Sequence, residues 1–344
     1  MTTIGDNLRL TISPGSLSLQ RAEVAPRPEG WVRLKVLACG ICGTDLHLLH
    51  GMKMPLGAEY PVHPGHEVSA EVIEADVHSG FVPGSRVVLH PLLPCGGCDD
   101  CLSGRENHCA SAEMLGVHRA GGLAREMIWR ADRLVPADAL DPDYAALLPD
   151  AVATAYHALR RSNLPRGGKL TVIGSGGVGT NVLQIARAID PDVTIAAVVH
   201  SAGTAKRIEA LGIPVVQGLD GAGRAMRDRF GAMDAAIDFS GAEAAPSEAI
   251  RMLRKGGRLV LGSVRDEKVS LATTWTGLMT REIEIVGSYS STIDDLRAVT
   301  ELVGSGRLSL AGLVSHRFAL EDVEEAFDVL EKRPAGMVRV VVTT

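Results

Sequence analysis

Between residues 30 and 88 the apolar positions fall into short β-rich runs, at 32–36, 68–73 and 86–89, each ended within a few residues by Gly, Pro or His. Runs this short, bounded this way, predict a compact β-domain. From residue 169 the rhythm changes. Apolar runs at 169–173, 193–199, 235–239 and 257–261 alternate with helical segments at 180–189, 205–211 and 245–253. That alternation predicts strand–helix–strand units and a parallel sheet. It ends near Gly287. Beyond it, Thr292-Ile293-Asp294-Asp295 opens a helix running to about residue 303 with acids in its first turn, 321–332 forms another, and 337–342 is a final strand. No internal repeat, low-complexity segment or tether-like linker stands out.

A chain of 344 residues has length for two domains. With 46% apolar and 22% charged residues it is too apolar for disorder, and its net charge of −6 gives no electrostatic reason to bind nucleic acid or an anionic membrane. The first seven residues carry no basic or apolar targeting pattern, and no apolar stretch reaches the ~18 residues of a membrane span, so a cytoplasmic location is expected. The six cysteines sharpen the picture. They cluster at 39, 42, 95, 98, 101 and 109, and in a reducing compartment clustered thiols point to metal before disulfides.

Cys95, Cys98, Cys101 and Cys109 lie in a segment too polar and too short to hold its shape by burial. Gaps of two, two and seven residues let four thiolates close around one tetrahedral Zn²⁺, a structural site with no open position. An iron–sulfur cluster of the bacterial ferredoxin type would need a last gap of about three followed by Pro, and here Ala110 follows a gap of seven.

A second constellation joins Cys42, Thr44, Asp45 and His47 to His66 and Glu67. Either piece alone would be weak. Together with a later Asp they can supply the roughly three N, S and O ligands of a catalytic zinc that keeps one position open.

Gly174-Ser175-Gly176-Gly177-Val178-Gly179 is a GxGxxG between a predicted strand and a predicted helix, where glycines let the backbone approach a pyrophosphate that the helix N-terminus then holds. The acid expected about 20 residues later, to receive the ribose of NAD, is missing, because the chain reads Val199-His200-Ser201 there. A 2′-phosphate then meets no repulsion. His200, Ser201, Lys206 and Arg207 are candidates to contact it, although a solvated helix face is the plainer reading of Lys206 and Arg207 taken singly.

In this order, Cys-Gly-Thr-Asp-x-His, Gly-His-Glu, the four-cysteine lobe and the glycine turn resemble the zinc-dependent medium-chain alcohol dehydrogenases, over essentially the whole chain. The resemblance implies an α/β protein: a GroES-like β-rich catalytic domain over 1–151 with its zinc lobe at 94–110, a Rossmann-type doubly wound parallel sheet over 152–287, and a return to the catalytic domain over 288–344. It implies Cys42 and His66 as zinc ligands. The third ligand, in many relatives Cys or Glu-Pro, falls here on Asp150. Glu67 resembles a residue that approaches the metal during ligand exchange, and Asp45 the carboxylate that orients His66.

The resemblance further implies that Thr44 and His47 relay the substrate's proton, that Thr154 packs near the nicotinamide with Gly262, Ser263 and Val264 on its other side, and that Arg339 reaches the pyrophosphate. The Asp-Ala-x-x-Thr-x-Tyr-His run from Asp150 resembles the branch acting on secondary alcohols, aryl ketones and aldehydes. Most relatives of that branch use NAD, while the missing acid favours NADP, so the expected cofactor is NAD(P) with two zinc ions per subunit. Reversible hydride transfer between an alcohol and the nicotinamide follows, with a small-molecule substrate. Reduction of an activated C=C bond, or a retired non-catalytic relative, would be favoured by loss of relay residues or ligands, and these are present. Trp129, Trp275 and Tyr289 are pocket candidates that fit core or interface better. Residues 281–288 suit an edge strand pairing across a two-fold axis, giving a homodimer or homotetramer.

Overall fold

A computed structural model describes residues 7–265 and 267–344. Their contacts form two units, one comprising the chain up to Ala153 with Thr292–Thr344, the other Thr154–Ser291.

The first unit is built on a seven-stranded sheet. Val314–Ala319, Arg339–Thr343, Trp31–Ile41, Glu67–Glu74, Arg86–Leu89 and Leu134–Pro136 follow one another across it, and Glu126–Arg130 pairs with Trp31–Ile41 as well. In the long strand Trp31–Ile41, Val32, Leu34 and Val36 alternate inward, whereas the stretch from Ala38 to Ile41 is buried throughout, as expected where a sheet is covered on both faces. Leu34, Val68, Leu89, Trp129 and Phe327 share one core. Trp129 is fully buried, with its indole N–H donated to the His90 carbonyl at 3.0 Å, so it is a core residue and no pocket wall.

Register fixes what meets at the carboxyl end of strand Trp31–Ile41. Gly40 stands opposite Glu67 on one side and Val341 on the other. Three strands far apart in sequence therefore deliver Cys42, Glu67 and Arg339 to one place. The hairpin of Asn7–Ser13 and Ser16–Ala22, turning at Pro14-Gly15, was not foreseen from the sequence pattern.

The second unit holds a six-stranded sheet, parallel throughout, in the order Val215–Gln217, Thr194–Val199, Lys169–Ile173, Met233–Asp238, Leu253–Leu261, Glu284–Gly287. Counted within the unit this is third, second, first, fourth, fifth, sixth, the doubly wound order whose ligand crevice opens at the carboxyl ends of the first and fourth strands. Helix Gly177–Ile189 starts earlier than its apolar period suggests, because its N-cap is Gly176 of the glycine turn. Among the described residues no helix is long and apolar enough to cross a bilayer.

Candidate active site

Cys42 follows directly on the long strand Trp31–Ile41 and caps helix Gly43–Leu49. Its Sγ accepts the Thr44 amide at 3.4 Å, while Asp45 Oδ2 accepts the Cys42 amide at 2.9 Å, a reciprocal capping arrangement that locks the thiol's direction. His66 and Glu67 sit where the neighbouring strand begins. Gly40 must be glycine here, since a Cβ would run into the Glu67 carboxylate.

Asp150 arrives on a π-helical turn, Leu148–Val152, a wide-turn geometry often found at functional sites. Cys42 Sγ lies 3.2 Å from His66 Nε2, and Asp150 Oδ2 lies 3.7 Å from the same nitrogen. With Glu67, these four side chains place one ligand atom each within 4.8 Å of one another.

The electrostatics of this cluster fit a cation. Burial drives the Cys42 thiol up and the Glu67 carboxyl up to about 7, against the pull of Arg339. Burial disfavours a charged imidazole, yet the Cys42 and Asp45 charges carry His66 well above its usual value. Burial also raises Asp150, and the facing His66 more than offsets it, leaving that carboxyl well below the usual range. Asp45 Oδ1 and Glu67 Oε2 are buried without a hydrogen-bond partner. A thiolate, a carboxylate and a neutral imidazole around Zn²⁺ sum to zero charge, so the donor set suits the ion, and Asp150, with 26% of its side chain exposed, leaves a way in.

The four-cysteine lobe is assembled too. Cys98 and Cys101 sulfurs are 3.4 Å apart, Cys95 and Cys101 3.9 Å, and all four have ligand atoms within 4.8 Å, with no disulfide among them. The Gly97 and Cys98 amides pull the Cys95 thiol down to about 6, whereas burial and the Cys98 sulfur push Cys101 up to about 12. Competing thiols of this kind are what a metal relieves by binding the thiolates and releasing their protons to solvent.

In the second unit the glycine turn leaves strand Lys169–Ile173. Gly174 has φ +85° and a Cβ there would sit 2.5 Å from the Ser240 amide, so only glycine serves. No side chain caps the helix that follows Gly176. Its first amides are therefore open to an anion.

Comparison with known proteins agrees with this geometry. Residues 28–139 match the model of the alcohol dehydrogenase GroES-like domain, and residues 177–305 that of the zinc-binding dehydrogenases. The chain is 30% identical to an alcohol dehydrogenase of Geobacillus stearothermophilus, over 92% of this chain and 93% of that one. The chain belongs to the zinc-dependent medium-chain alcohol dehydrogenases. It is also 28% identical to L-galactonate-5-dehydrogenase of Escherichia coli K12, covering 95% and 96% of the two chains. A Sinorhizobium meliloti 1021 structure bound to NADP superposes with a TM-score of 0.87 at 26% identity, over 98% of this chain and 99% of that one.

Within this alcohol dehydrogenase, Thr44 is half-buried and His47 exposed, one helical turn apart on Gly43–Leu49. His200 is exposed just past strand Thr194–Val199, and Ser201 caps helix Ala202–Ala210 by accepting the Thr204 amide at 3.2 Å. Gly262 donates its amide to the Asp238 carbonyl at 3.0 Å, Ser263 Oγ is buried without a partner, and Val264 is exposed. Thr154 is half-buried at the start of helix Ala153–Arg161. Trp275 and Tyr289 are exposed.

Two placements were not legible in the sequence. Arg339, expected at the cofactor pyrophosphate, is buried and pairs with Glu67. Arg207, which as a lone residue reads as a solvated helix face, instead folds its guanidinium onto the glycine turn; Lys206 beside it is exposed.

Proposed function

We propose that this chain catalyses reversible hydride transfer between a primary or secondary alcohol and NAD(P), with zinc held by Cys42, His66 and Asp150. The observation that carries the reading is the convergence of a thiol, an imidazole and carboxylates within 4.8 Å, buried except at Asp150, whose side chain is partly exposed. Bound there, the ion supplies Lewis acidity, polarising a carbonyl or lowering an alcohol's pKa. Glu67, held back by Arg339, is available for ligand exchange.

Thr44, two residues beyond Cys42, takes the hydroxyl proton, and His47, three residues further along the same helix face, passes it to solvent. The alcohol carbon delivers its hydride to the nicotinamide C4 and becomes the carbonyl carbon. The turn 174–179 holds the pyrophosphate, Thr154 with Gly262, Ser263 and Val264 attends the nicotinamide, and His200 and Ser201 attend the adenosine ribose. The absence of an acid after Val199 favours NADP over NAD.

The Cys95, Cys98, Cys101 and Cys109 lobe holds the second zinc. In this reading the catalytic part spans 1–151 and 288–344 and the dinucleotide part 152–287. We further propose a cytoplasmic homodimer or homotetramer. Strand Glu284–Gly287 ends its sheet with a neighbour on one side only among the described residues, which suits pairing across a two-fold axis. The test is a panel of alcohols, polyols, aldehydes and ketones assayed with NAD(H) and NADP(H). Hydride transfer to or from at least one of them is expected, and none with either dinucleotide refutes the reading.

A further inference from the structure

The glycine turn has little of its own to hold it in shape, since glycine gives up more backbone freedom on ordering than any other residue. Its carbonyls show what does. Ser175 O accepts Arg207 Nη2 at 2.7 Å and the Thr180 hydroxyl at 3.1 Å, Gly176 O accepts the same hydroxyl at 2.7 Å, and Arg207 Nη1 donates to Thr180 Oγ1 at 3.1 Å. Arg207 sits on helix Ala202–Ala210, the element after the strand where a ribose is read.

A trans peptide points its C=O and the following N–H in opposite directions. Holding the Ser175 carbonyl from one side therefore aims the Gly176 amide to the other, and fixing Gly176 O does the same for the Gly177 amide. These are amides at the open N-terminus of helix Gly177–Ile189, where no side chain competes for them. Arg207 directs one N–H from each terminal nitrogen at the turn, two of its five donors.

We propose that Arg207 is a positioning residue for the dinucleotide, bracing the back of the glycine turn so that its amides meet the pyrophosphate ready-aimed. The inference rests on the proposed dinucleotide reading of that turn. It differs from a 2′-phosphate contact in one measurable way, since pyrophosphate is common to NADH and NADPH.

The experiment uses the full-length, zinc-loaded protein and Arg207→Met, titrated with NADH and with NADPH by nicotinamide fluorescence, alongside steady-state kinetics and the thermal midpoint. A charge-assisted hydrogen bond of this kind predicts both dissociation constants rising by about ten- to a hundredfold, with the dinucleotide KM rising far more than kcat falls. Arg207→Lys, which keeps one donor, should recover part of the loss. A loss confined to NADPH would make Arg207 a 2′-phosphate contact and overturn the proposal, as would unchanged binding in a variant that only melts lower. Should Arg207→Met fail to fold, Thr180→Val tests the same brace, with weaker binding of both dinucleotides expected and unaltered binding contradicting it. A wild-type protein that binds neither dinucleotide would instead refute the proposed function.

Discussion

Asp45 Oδ1 faces His66 Nδ1 at 3.9 Å, buried and otherwise unpartnered, while its other oxygen holds the Cys42 amide. One carboxylate thus steadies two proposed zinc ligands from behind. Losing such a partner commonly costs 10- to 100-fold in metal affinity, so Asp45→Asn should bind zinc weaker by roughly that factor in a competition titration against a chelator. Unchanged affinity would show that the capped helix alone positions the thiol and the ring.

Arg339 and Glu67 form a buried ion pair, and removing one member leaves a charge without compensation. Arg339→Met should therefore lose about 3–5 kcal/mol of stability in urea unfolding. Adding Glu67→Gln to that variant should restore part of the loss. Additive losses in the double variant would mean that the two groups do not interact.

Asp76 is half-buried where the Gly30 amide at 2.8 Å and Arg27 at 2.7 Å hold its carboxyl below the usual carboxylate range. A depressed folded-state value gives stability that is present above the unfolded pKa of about 4 and is lost as the pH falls through the folded value. The stability difference between wild type and Asp76→Asn should accordingly shrink as the pH drops from about 5 towards 3, as followed by chemical denaturation. A constant difference across that range would contradict this.

Cys98→Ser removes one of four thiolates from a lobe with little burial to replace it. The variant should lose one zinc per subunit and melt lower while keeping the Cys42, His66 and Asp150 site able to bind the ion. A variant with full zinc content and an unaltered melting point would show that the lobe stands without metal.

What could be read from the sequence was whatever lies close together along it. The cysteine spacing, the Cys42–His47 element, His66-Glu67 and the glycine turn are each local, and the strands of the parallel sheet announce themselves as apolar runs. Arg339 and Glu67 are 272 residues apart, and their pairing depends on which strands neighbour Trp31–Ile41 and in what register, which no local pattern encodes. Arg207 was illegible for a related reason. Its distance from Ser175 is set by how helix Ala202–Ala210 packs beside the turn, and a basic residue on a helix reads the same whether it faces water or a carbonyl. The hairpin from Asn7 and strands such as Val314–Ala319 were missed because short, partly exposed strands carry a weak alternation.

In the proposed mechanism, Cys42, His66 and Asp150 grip a zinc ion on which alcohol turnover depends. Elemental analysis of the wild type and His66→Ala, each paired with a dinucleotide titration and an alcohol oxidation assay, tests it most directly. Two zinc ions per wild-type subunit and one in the variant are expected, with turnover abolished and dinucleotide affinity largely intact. A variant that keeps its full zinc content and its activity would contradict it.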